Sequence, residues 1–340
     1  MISIHFVHNG ANHALPAGGI YAVPRAAGFR DTPAAELHSL IAEVESGRPW
    51  RQVVSDRYAV AKPWLHRIIT DPSRTKFFDT VLPADDGLVL DLGAGWGQTA
   101  RPLALRRPVV ALEPVAERLA FIQAAARQDG VDRNLCYLGA DYFDVQFETK
   151  FAAICAIGVF EWVGAFQNHT DPQERQRAFL RKARAELAPG GTLVLGIENR
   201  LGLKYLLGCP DDHLGVSRIA CLPAPLARQR WQASSGQPLQ SFTYSRLELE
   251  QLLRHAGFTN IEFFSAFPDY KLPETIISLS DGGHALNAWL AAEQLPPEHN
   301  GYDGTALDST FQEDLQTRYR SLATTGHAQH FSPSYFVRAS

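Results

Sequence analysis

Short apolar runs alternate with helical patterns over residues 85–200, and this alternation constrains the fold more than any other feature. It is typical of βαβ units, in which a helix connects each strand of a parallel sheet to the next. Strands of a parallel sheet are buried on both faces and therefore read as continuous apolar runs. The predicted strands are Leu88–Leu92, Val109–Leu112, Leu135–Leu138, Ala152–Ile157 and Thr192–Ile197.

Two further strands are predicted near the end of the chain, at Ile261–Phe267 and Ser334–Arg338. We expect them to pair antiparallel and to complete a seven-stranded α/β sheet with helices on both faces. About sixty residues separate them, and since a structureless loop of that length is uncommon, we predict a helical insertion before the last strand. The predicted parts are an N-terminal extension with a helical cap (1–80), the sheet core (81–267), and the insertion with the final strand (268–340).

Composition excludes several classes of protein. The chain has 340 residues, of which 45% are hydrophobic and 20% charged, which is an ordinary globular profile. The net charge of −4 gives no support to a nucleic-acid binder. The four cysteines form no CxxC pair, the N-terminus lacks a secretory pattern, and the longest apolar run is about half the length of a membrane span. We expect a cytoplasmic protein with no membrane span.

The segment VLDLGAGWG, residues 89–97, joins an apolar strand to a glycine-rich turn and then a helix. Glycines let the backbone approach a ligand closely, and the following helix N-terminus can receive polar groups. The GxGxG spacing differs from the GxGxxG of dinucleotide-binding proteins. Because of the glycine turn, Asp91, Gly93 and Gly95 are candidate residues for binding a cofactor. The alternative is that the segment forms only a tight turn.

Acidic residues end the next two predicted strands. Glu113 could accept hydrogen bonds from both hydroxyls of a ribose, or it could simply face solvent at the start of a helix. Asp141 could accept from an exocyclic adenine amine with Tyr142 beside the ring, or it could cap a helix.

In this order and spacing, LDLGAGWG, ALEPV, GADYF and LAPGGTLVLGIENR resemble class I S-adenosylmethionine (SAM)-dependent methyltransferases. The resemblance covers about residues 88–267 and implies a Rossmann-like core that binds SAM. It implies that the turn at Gly93–Gly97 holds the methionine part, that Glu113 binds the ribose and that Asp141 binds the adenine amine. Gly158 joins the predicted cofactor residues. One departure is FAAI at the fourth strand, where these enzymes often have an early Asp.

A narrower resemblance follows from GVFEWVG, IENRLGLKYLLGCPDDHLG, FTYSRLELEQLLRHAGF and FPDYKLPETIIS. These segments are similar to methyltransferases encoded among bacterial surface-polysaccharide and glycosyltransferase genes. The resemblance implies methyl transfer to an O or N acceptor on a carbohydrate or sugar-linked intermediate. The alternatives are a small-molecule natural-product methyltransferase and a non-catalytic SAM-binding partner subunit.

Catalytic candidates should follow the fourth and fifth strands, because ligands of open α/β sheets lie outside the carboxyl ends of the strands. Glu161 and Trp162 could position a sugar, or Glu161 could cap a helix start. Asn199, which follows Glu198, could orient an acceptor or tie down the turn.

The segment Asp211-Asp212-His213 combines carboxylates with an imidazole. His213 is the predicted general base, oriented by Asp211 or Asp212, and the alternative is that it only packs within a loop. Glu161 and Asp212 complete the predicted catalytic set. No second His or Cys falls at ligand spacing, so no metal site is predicted.

Overall fold

The structure is a computed structural model that describes residues 3–23, 29–84, 86–166 and 171–340. The chain forms two compact units. Unit 1 comprises residues 1–156 and 182–193, and unit 2 comprises residues 157–181 and 194–340. The predicted three-part division of the chain stays a prediction.

Strands make up two sheets in the described residues. Nine strands are hydrogen-bonded in the order β11-β10-β12-β9-β8-β4-β5-β6-β3, and three in the order β2-β1-β7. The strands are β1 (Ser3–His8), β2 (Ala11–Pro16), β3 (Ile20–Ala22), β4 (Val89–Leu92), β5 (Val109–Leu112), β6 (Leu135–Gly139), β7 (Val145–Phe147), β8 (Phe151–Ile157), β9 (Leu187–Glu198), β10 (Ile261–Phe267), β11 (Thr275–Ser278) and β12 (Ser334–Ala339).

The helices alternate with these strands along the middle of the chain and cluster before and after it. They are α1 (Ala34–Glu45), α2 (Trp50–Tyr58), α3 (Pro63–Thr70), α4 (Ser73–Lys76), α5 (Phe78–Val81), α6 (Ala100–Leu103), α7 (Ala116–Gln128), α8 (Pro172–Glu186), α9 (Leu203–Leu206), α10 (Ala224–Ser235), α11 (Arg246–His255), α12 (His284–Ala292) and α13 (Ser309–Thr324). None of the helices in the described residues combines the length and apolar character that a bilayer crossing requires.

The parallel strands of unit 1 confirm the prediction from the apolar runs. Strand β4 pairs parallel with β5, and β5 with β6, in a register that places Val110 beside Leu90 and Cys136. Every residue of β4, β5 and β6 is buried, which explains why their sequences are apolar apart from Asp91 in β4.

The fifth predicted strand begins earlier than expected. The sequence predicts a turn at Pro189–Gly191, yet β9 already starts at Leu187. Gly191 lies so close to β8 that a Cβ atom there would be 2.8 Å from the carbonyl oxygen of Phe151. The glycine therefore permits close approach of the two backbones rather than only a turn.

In the described residues the sheet has nine strands, so the predicted count of seven is not confirmed. The N-terminal extension adds β3, which pairs parallel with β6, and the insertion adds β11, which pairs antiparallel with β10. Both extra strands lie at the sheet edges and their residues are mostly exposed or half-buried. Short edge strands of this kind lack the apolar runs by which the other strands were recognised.

The helices before β4, here called the cap, pack together within unit 1, and a capping role for them stays a prediction. Leu40, Val44 and Val54 are buried in one apolar cluster with Trp96 of the glycine turn and Phe121 of α7. The cap thus packs against the same turn that the sequence singles out. Before it, β1 pairs with β2 and β7, which gives the first residues a place that the sequence did not predict.

Unit 2 confirms the pairing predicted for the last strand. Strand β12 runs antiparallel to β10, with Phe336 opposite Phe264. The insertion between them contains β11, α12 and α13, which bears out the expectation of a helical insertion.

Candidate functional site

The glycine turn after β4 uses backbone conformations that favour glycine. Gly93, Gly95 and Gly97 have φ values of 62°, 56° and 76°. A Cβ atom on Gly97 would lie 2.9 Å from Cγ2 of Ile122. The turn therefore needs glycine at Gly97 both for its positive φ and for its contact with α7.

Glu113 lies at the end of β5, and its carboxylate is tied to this turn. Its Oε2 accepts from the backbone N–H of Gly95 at 2.9 Å, and its Oε1 accepts from that of Val115 at 3.0 Å. Burial raises the pKa of Glu113 above its usual range, although Arg118 opposes the rise. A direct hydrogen bond therefore joins Glu113 to the glycine turn, and their binding of a cofactor stays a prediction.

Asp31 and Arg118 are charged neighbours of this turn that sequence reasoning missed. Oδ2 of Asp31 accepts from the indole N–H of Trp96 at 3.1 Å and lies 2.9 Å from Nη2 of Arg118. Nη1 of Arg118 lies 3.8 Å from Oε1 of Glu113. Asp31 lies in a stretch with no periodic pattern that relates it to residues 96–118, so no sequence signal could have found it.

Asp91 is buried in the middle of β4. Its backbone pairs in register with Ala111 of β5 and Cys155 of β8. Burial raises the pKa of the Asp91 carboxyl to about 8, against the opposing charge of Arg74. Its Oδ2 has no hydrogen-bond partner among the described residues.

Asp141 and Tyr142 have structural contacts of their own. Oδ1 of Asp141 accepts from the backbone N–H of Phe143 at 2.9 Å and so caps a short 3-10 helix, which is the alternative that the sequence left open. The hydroxyl of Tyr142 donates to Oε2 of Glu186 at 2.6 Å. A role for either residue toward adenine stays a prediction.

Gly158 lies in unit 2, at the end of β8. Its φ is 71°, and a Cβ atom there would be 2.9 Å from the hydroxyl oxygen of Tyr270. Close packing against Tyr270 is thus sufficient reason for a glycine at this position.

Unit 2 brings the predicted catalytic residues Glu161 and His213 together with Glu198. Nε2 of His213 lies 3.7 Å from Oε1 of Glu161 and 3.5 Å from Oε2 of Glu198, and all three side chains are nearly completely buried. Nδ1 of His213 lies 3.6 Å from Oδ1 of Asp211. Burial favours the neutral imidazole, but Glu198 and the other carboxylates outweigh it and raise the pKa of His213 well above its usual value.

Asp212 is held by lysines. Its Oδ2 accepts from Nζ of Lys271 at 2.9 Å, and its Oδ1 lies 3.7 Å from Nζ of Lys204. Burial alone would raise the pKa of Asp212, but the two ammonium groups lower it below its usual range. A carboxylate in these surroundings is a weak proton acceptor.

A second group of buried charges lies next to these lysines and was missed by sequence reasoning. Oε2 of Glu298 lies 3.7 Å from Nζ of Lys204, and Nε2 of His299 lies 3.3 Å from Oδ2 of Asp269. These residues come from α9, the end of β10 and the insertion, so their charges meet only through the tertiary fold.

Asn199 adopts the structural one of its two predicted roles. Its side-chain amide donates to the backbone oxygens of His330 and Ser332 and lies 3.0 Å from the hydroxyl of Tyr335. It therefore ties down the turn after β9.

A small, partly open cavity in unit 2 borders Asp211. Its lining mixes charged and hydroxyl-bearing side chains with apolar ones, and includes Arg200, Thr243, Tyr244 and Glu248. Such a lining offers both hydrogen bonds and apolar contact to a small polar ligand.

Residues 89–191 match the family model of a methyltransferase domain. The match begins at the first residue of β4 and includes the glycine turn, Glu113 and Asp141. Over this segment the chain is similar to a methyltransferase domain. No curated protein matches the chain.

Several solved structures are similar to the chain at low identity. One is a SAM-dependent methyltransferase from Thermotoga maritima, described as a possible histamine N-methyltransferase, with 15% identity, a TM-score of 0.41, and coverage of 85% of this chain and 99% of that chain. Another is the CcbJ methyltransferase from Streptomyces caelestis, with 19% identity, a TM-score of 0.42, and coverage of 60% and 84%. A third is phosphoethanolamine N-methyltransferase 2 from Haemonchus contortus, with 14% identity, a TM-score of 0.44, and coverage of 88% and 59%.

Proposed function

We propose that the protein is a SAM-dependent methyltransferase whose cofactor binds at the glycine turn of unit 1. The observation that carries the proposal is the hydrogen bond between the Glu113 carboxylate and the Gly95 amide, at the ends of neighbouring parallel strands. Ligands of open α/β sheets bind outside these strand ends. The methyltransferase-domain match over the same residues adds support.

Each cofactor residue has a proposed role. Gly93 and Gly95 let the backbone approach the methionine part, with Asp91 beneath the turn. Glu113 accepts from the ribose hydroxyls, and Asp141 accepts from the adenine amine. The resemblance in sequence also assigns Tyr142 and Gly158 to the cofactor; their present contacts with Glu186 and Tyr270 make these the weaker members of the set.

Isothermal titration calorimetry with SAM, with its demethylated product and with NAD tests this proposal. We expect the first two ligands to bind with one site per chain and NAD to give no heat of binding. Binding of NAD in preference to SAM would contradict the proposal.

For the acceptor we propose a hydroxyl or amine on a carbohydrate or sugar-linked intermediate. Methyl transfer from a sulfonium is an in-line displacement in which SAM supplies the electrophile and the leaving group. The protein must then align the acceptor and take its proton. The polar lining of the cavity beside Asp211 and the buried group around His213 support such an acceptor.

His213 is the proposed proton acceptor, with Asp211 orienting its imidazole and Glu161 as the next candidate. Because the carboxylates raise the pKa of His213, it acts as a base only at a pH where the imidazole is neutral. Asp212 takes no proton in this proposal, and its role is to hold Lys271 and Lys204 in place. Methyl transfer from labelled SAM to a panel of sugars, sugar nucleotides and small phenols tests the acceptor class. Turnover confined to the phenols would contradict the carbohydrate proposal.

A further inference from the structure

The interior of unit 2 holds more carboxylates than cationic groups around His213. Six acidic side chains meet two lysines, Lys204 and Lys271, in a continuous set of contacts. Burial raises the pKa of Glu298 to about 8 and that of Glu198 above its usual range, so protonation relieves part of this excess. A bound cation would relieve the rest. The six acidic residues are Glu161, Glu198, Asp211, Asp212, Asp269 and Glu298.

Two of these acidic side chains and His213 converge on one point. Glu161, Glu198 and His213 each offer a ligand atom, and the three atoms lie within 4.8 Å of one another. Nε2 of His213 is 3.5 Å from Oε2 of Glu198 and 3.7 Å from Oε1 of Glu161. Neighbouring ligands around an ion with bonds of about 2.0–2.2 Å are separated by roughly 3.0–3.5 Å. Small side-chain rotations would therefore complete the coordination.

The two glutamates each carry an oxygen that lacks a donor. Oε2 of Glu198, the atom that faces the imidazole, has no hydrogen-bond partner among the described residues, and neither has Oε2 of Glu161. The side chains of Glu198 and Glu161 are only 2% and 1% exposed. Buried polar atoms are normally paired, so these two oxygens indicate that a cation binds here.

The surrounding groups hold these ligands in place. Lys271 donates to Oε1 of Glu198, and the hydroxyl of Tyr270 donates to Oε1 of Glu161 at 3.2 Å. Asp211 faces Nδ1 of His213, which directs Nε2 toward the glutamates. A carboxylate behind a metal-binding imidazole is a common arrangement in metal sites.

We propose that Glu161, Glu198 and His213 bind one divalent transition-metal ion, with Mn²⁺ and Zn²⁺ as the fitting probes. Carboxylates suit Mn²⁺ and Zn²⁺, and the imidazole nitrogen favours either over Mg²⁺. Three protein ligands leave positions for water or for oxygen atoms of a bound molecule. With a metal bound, Nε2 of His213 is a ligand and takes no proton, so this proposal and the base role proposed above for His213 exclude each other.

Calorimetry on the full chain, stripped with a chelator and free of SAM, tests the proposal. We expect one site per chain for Mn²⁺ and Zn²⁺, each bound at least tenfold more tightly than Mg²⁺. Glu198→Gln should weaken binding at least tenfold. Glu298→Gln, which alters an equally buried carboxylate outside the three ligands, should change it less than threefold, and circular dichroism confirms that both variants fold.

The absence of binding heat for both Mn²⁺ and Zn²⁺, or an equal loss in the two variants, overturns the proposal. If Glu198→Gln does not fold, pulsed electron paramagnetic resonance of Mn²⁺ on the wild-type chain decides. A nitrogen coupling that changes on ¹⁵N-histidine labelling is expected, and a spectrum without it overturns the site. Because SAM binding is measured separately, failure here leaves the proposed methyl transfer standing.

Discussion

At the scale of single residues, the carboxylate of Glu113 accepts backbone hydrogen bonds from Gly95 and Val115. Hydrogen bonds to a charged group contribute about 1.5–3 kcal/mol each, and ribose hydroxyls would add to them. Glu113→Ala should therefore lower SAM affinity at least tenfold in calorimetry. It should also lower the free energy of unfolding by about 1–3 kcal/mol because both backbone hydrogen bonds are lost. The sequence alone does not predict this loss, since it does not show that the amides of Gly95 and Val115 contact Glu113.

Glu117→Ala is the matched control for Glu113→Ala. Glu117 lies in the first turn of α7 and pairs with Arg30 at 3.2 Å. Its removal should leave SAM affinity within about twofold, as expected for a surface ion pair. Unchanged SAM binding in Glu113→Ala would remove Glu113 from the cofactor site.

His213→Ala separates a proton-accepting role from a structural one. A base predicts normal folding and normal SAM binding with turnover reduced about a hundredfold or more. The exposed His255 provides the control, and His255→Ala should keep wild-type turnover. Joint loss of melting temperature and turnover would indicate a packing role, and near wild-type turnover would transfer the assignment to Glu161.

The buried carboxyl of Asp91 should make stability depend on pH. Its pKa is about 8 in the folded protein, whereas the pKa of an Asp in an unfolded chain is about 3.9. Between these values the folded state keeps a proton that the unfolded state releases, so stability falls as pH rises, by at most about 1.4 kcal/mol per unit. Urea unfolding between pH 5 and pH 8 should show a shallower fall for Asp91→Asn. Asp79→Asn, with a side chain 74% exposed, should match the wild type; identical slopes for all three proteins would contradict the assignment.

At the scale of elements, the turn between β4 and α6 depends on glycine for two separable reasons. Gly97 combines a φ of 76° with a contact of 2.9 Å from its would-be Cβ to Ile122, whereas Gly130 has a φ of 74° and nothing within 4 Å. Gly130→Ala should therefore cost only the conformational term, about 1–2 kcal/mol. Gly97→Ala should cost about 1–3 kcal/mol more because the added methyl overpacks α7. Equal shifts in urea midpoint would show that the contact with Ile122 is unimportant.

The same scale explains which elements the sequence predicts. Strands β4, β5 and β6 are buried throughout, whereas β3 and β11 are short edge strands, partly or fully exposed, that pair only because a neighbour is present. The β propensity of a short segment contains no information on whether a neighbouring strand is present.

At the scale of the whole molecule, candidate residues could be predicted where they follow a strand end and not where distant segments meet. Glu113 and Glu161 were predictable because each follows an apolar run. Asp31 and Glu298 were not, since each reaches its partner from a segment remote in sequence. The same limit explains why no metal site was predicted, because that prediction used only the spacing of His and Cys along the chain.

The pairing of β12 with β10 joins segments far apart in sequence, so its loss should affect the molecule as a whole. Phe336 is completely buried in this pairing. Phe336→Ala should lower the free energy of unfolding by about 3–5 kcal/mol, a large fraction of the about 5–15 kcal/mol that stabilises a typical protein. Arg338→Ala, on the same strand, removes a half-exposed ion pair with Glu262 and should cost about 1 kcal/mol or less. Chemical unfolding of both variants measures the difference, and equal midpoints would show that β12 contributes little to stability beyond its surface contacts.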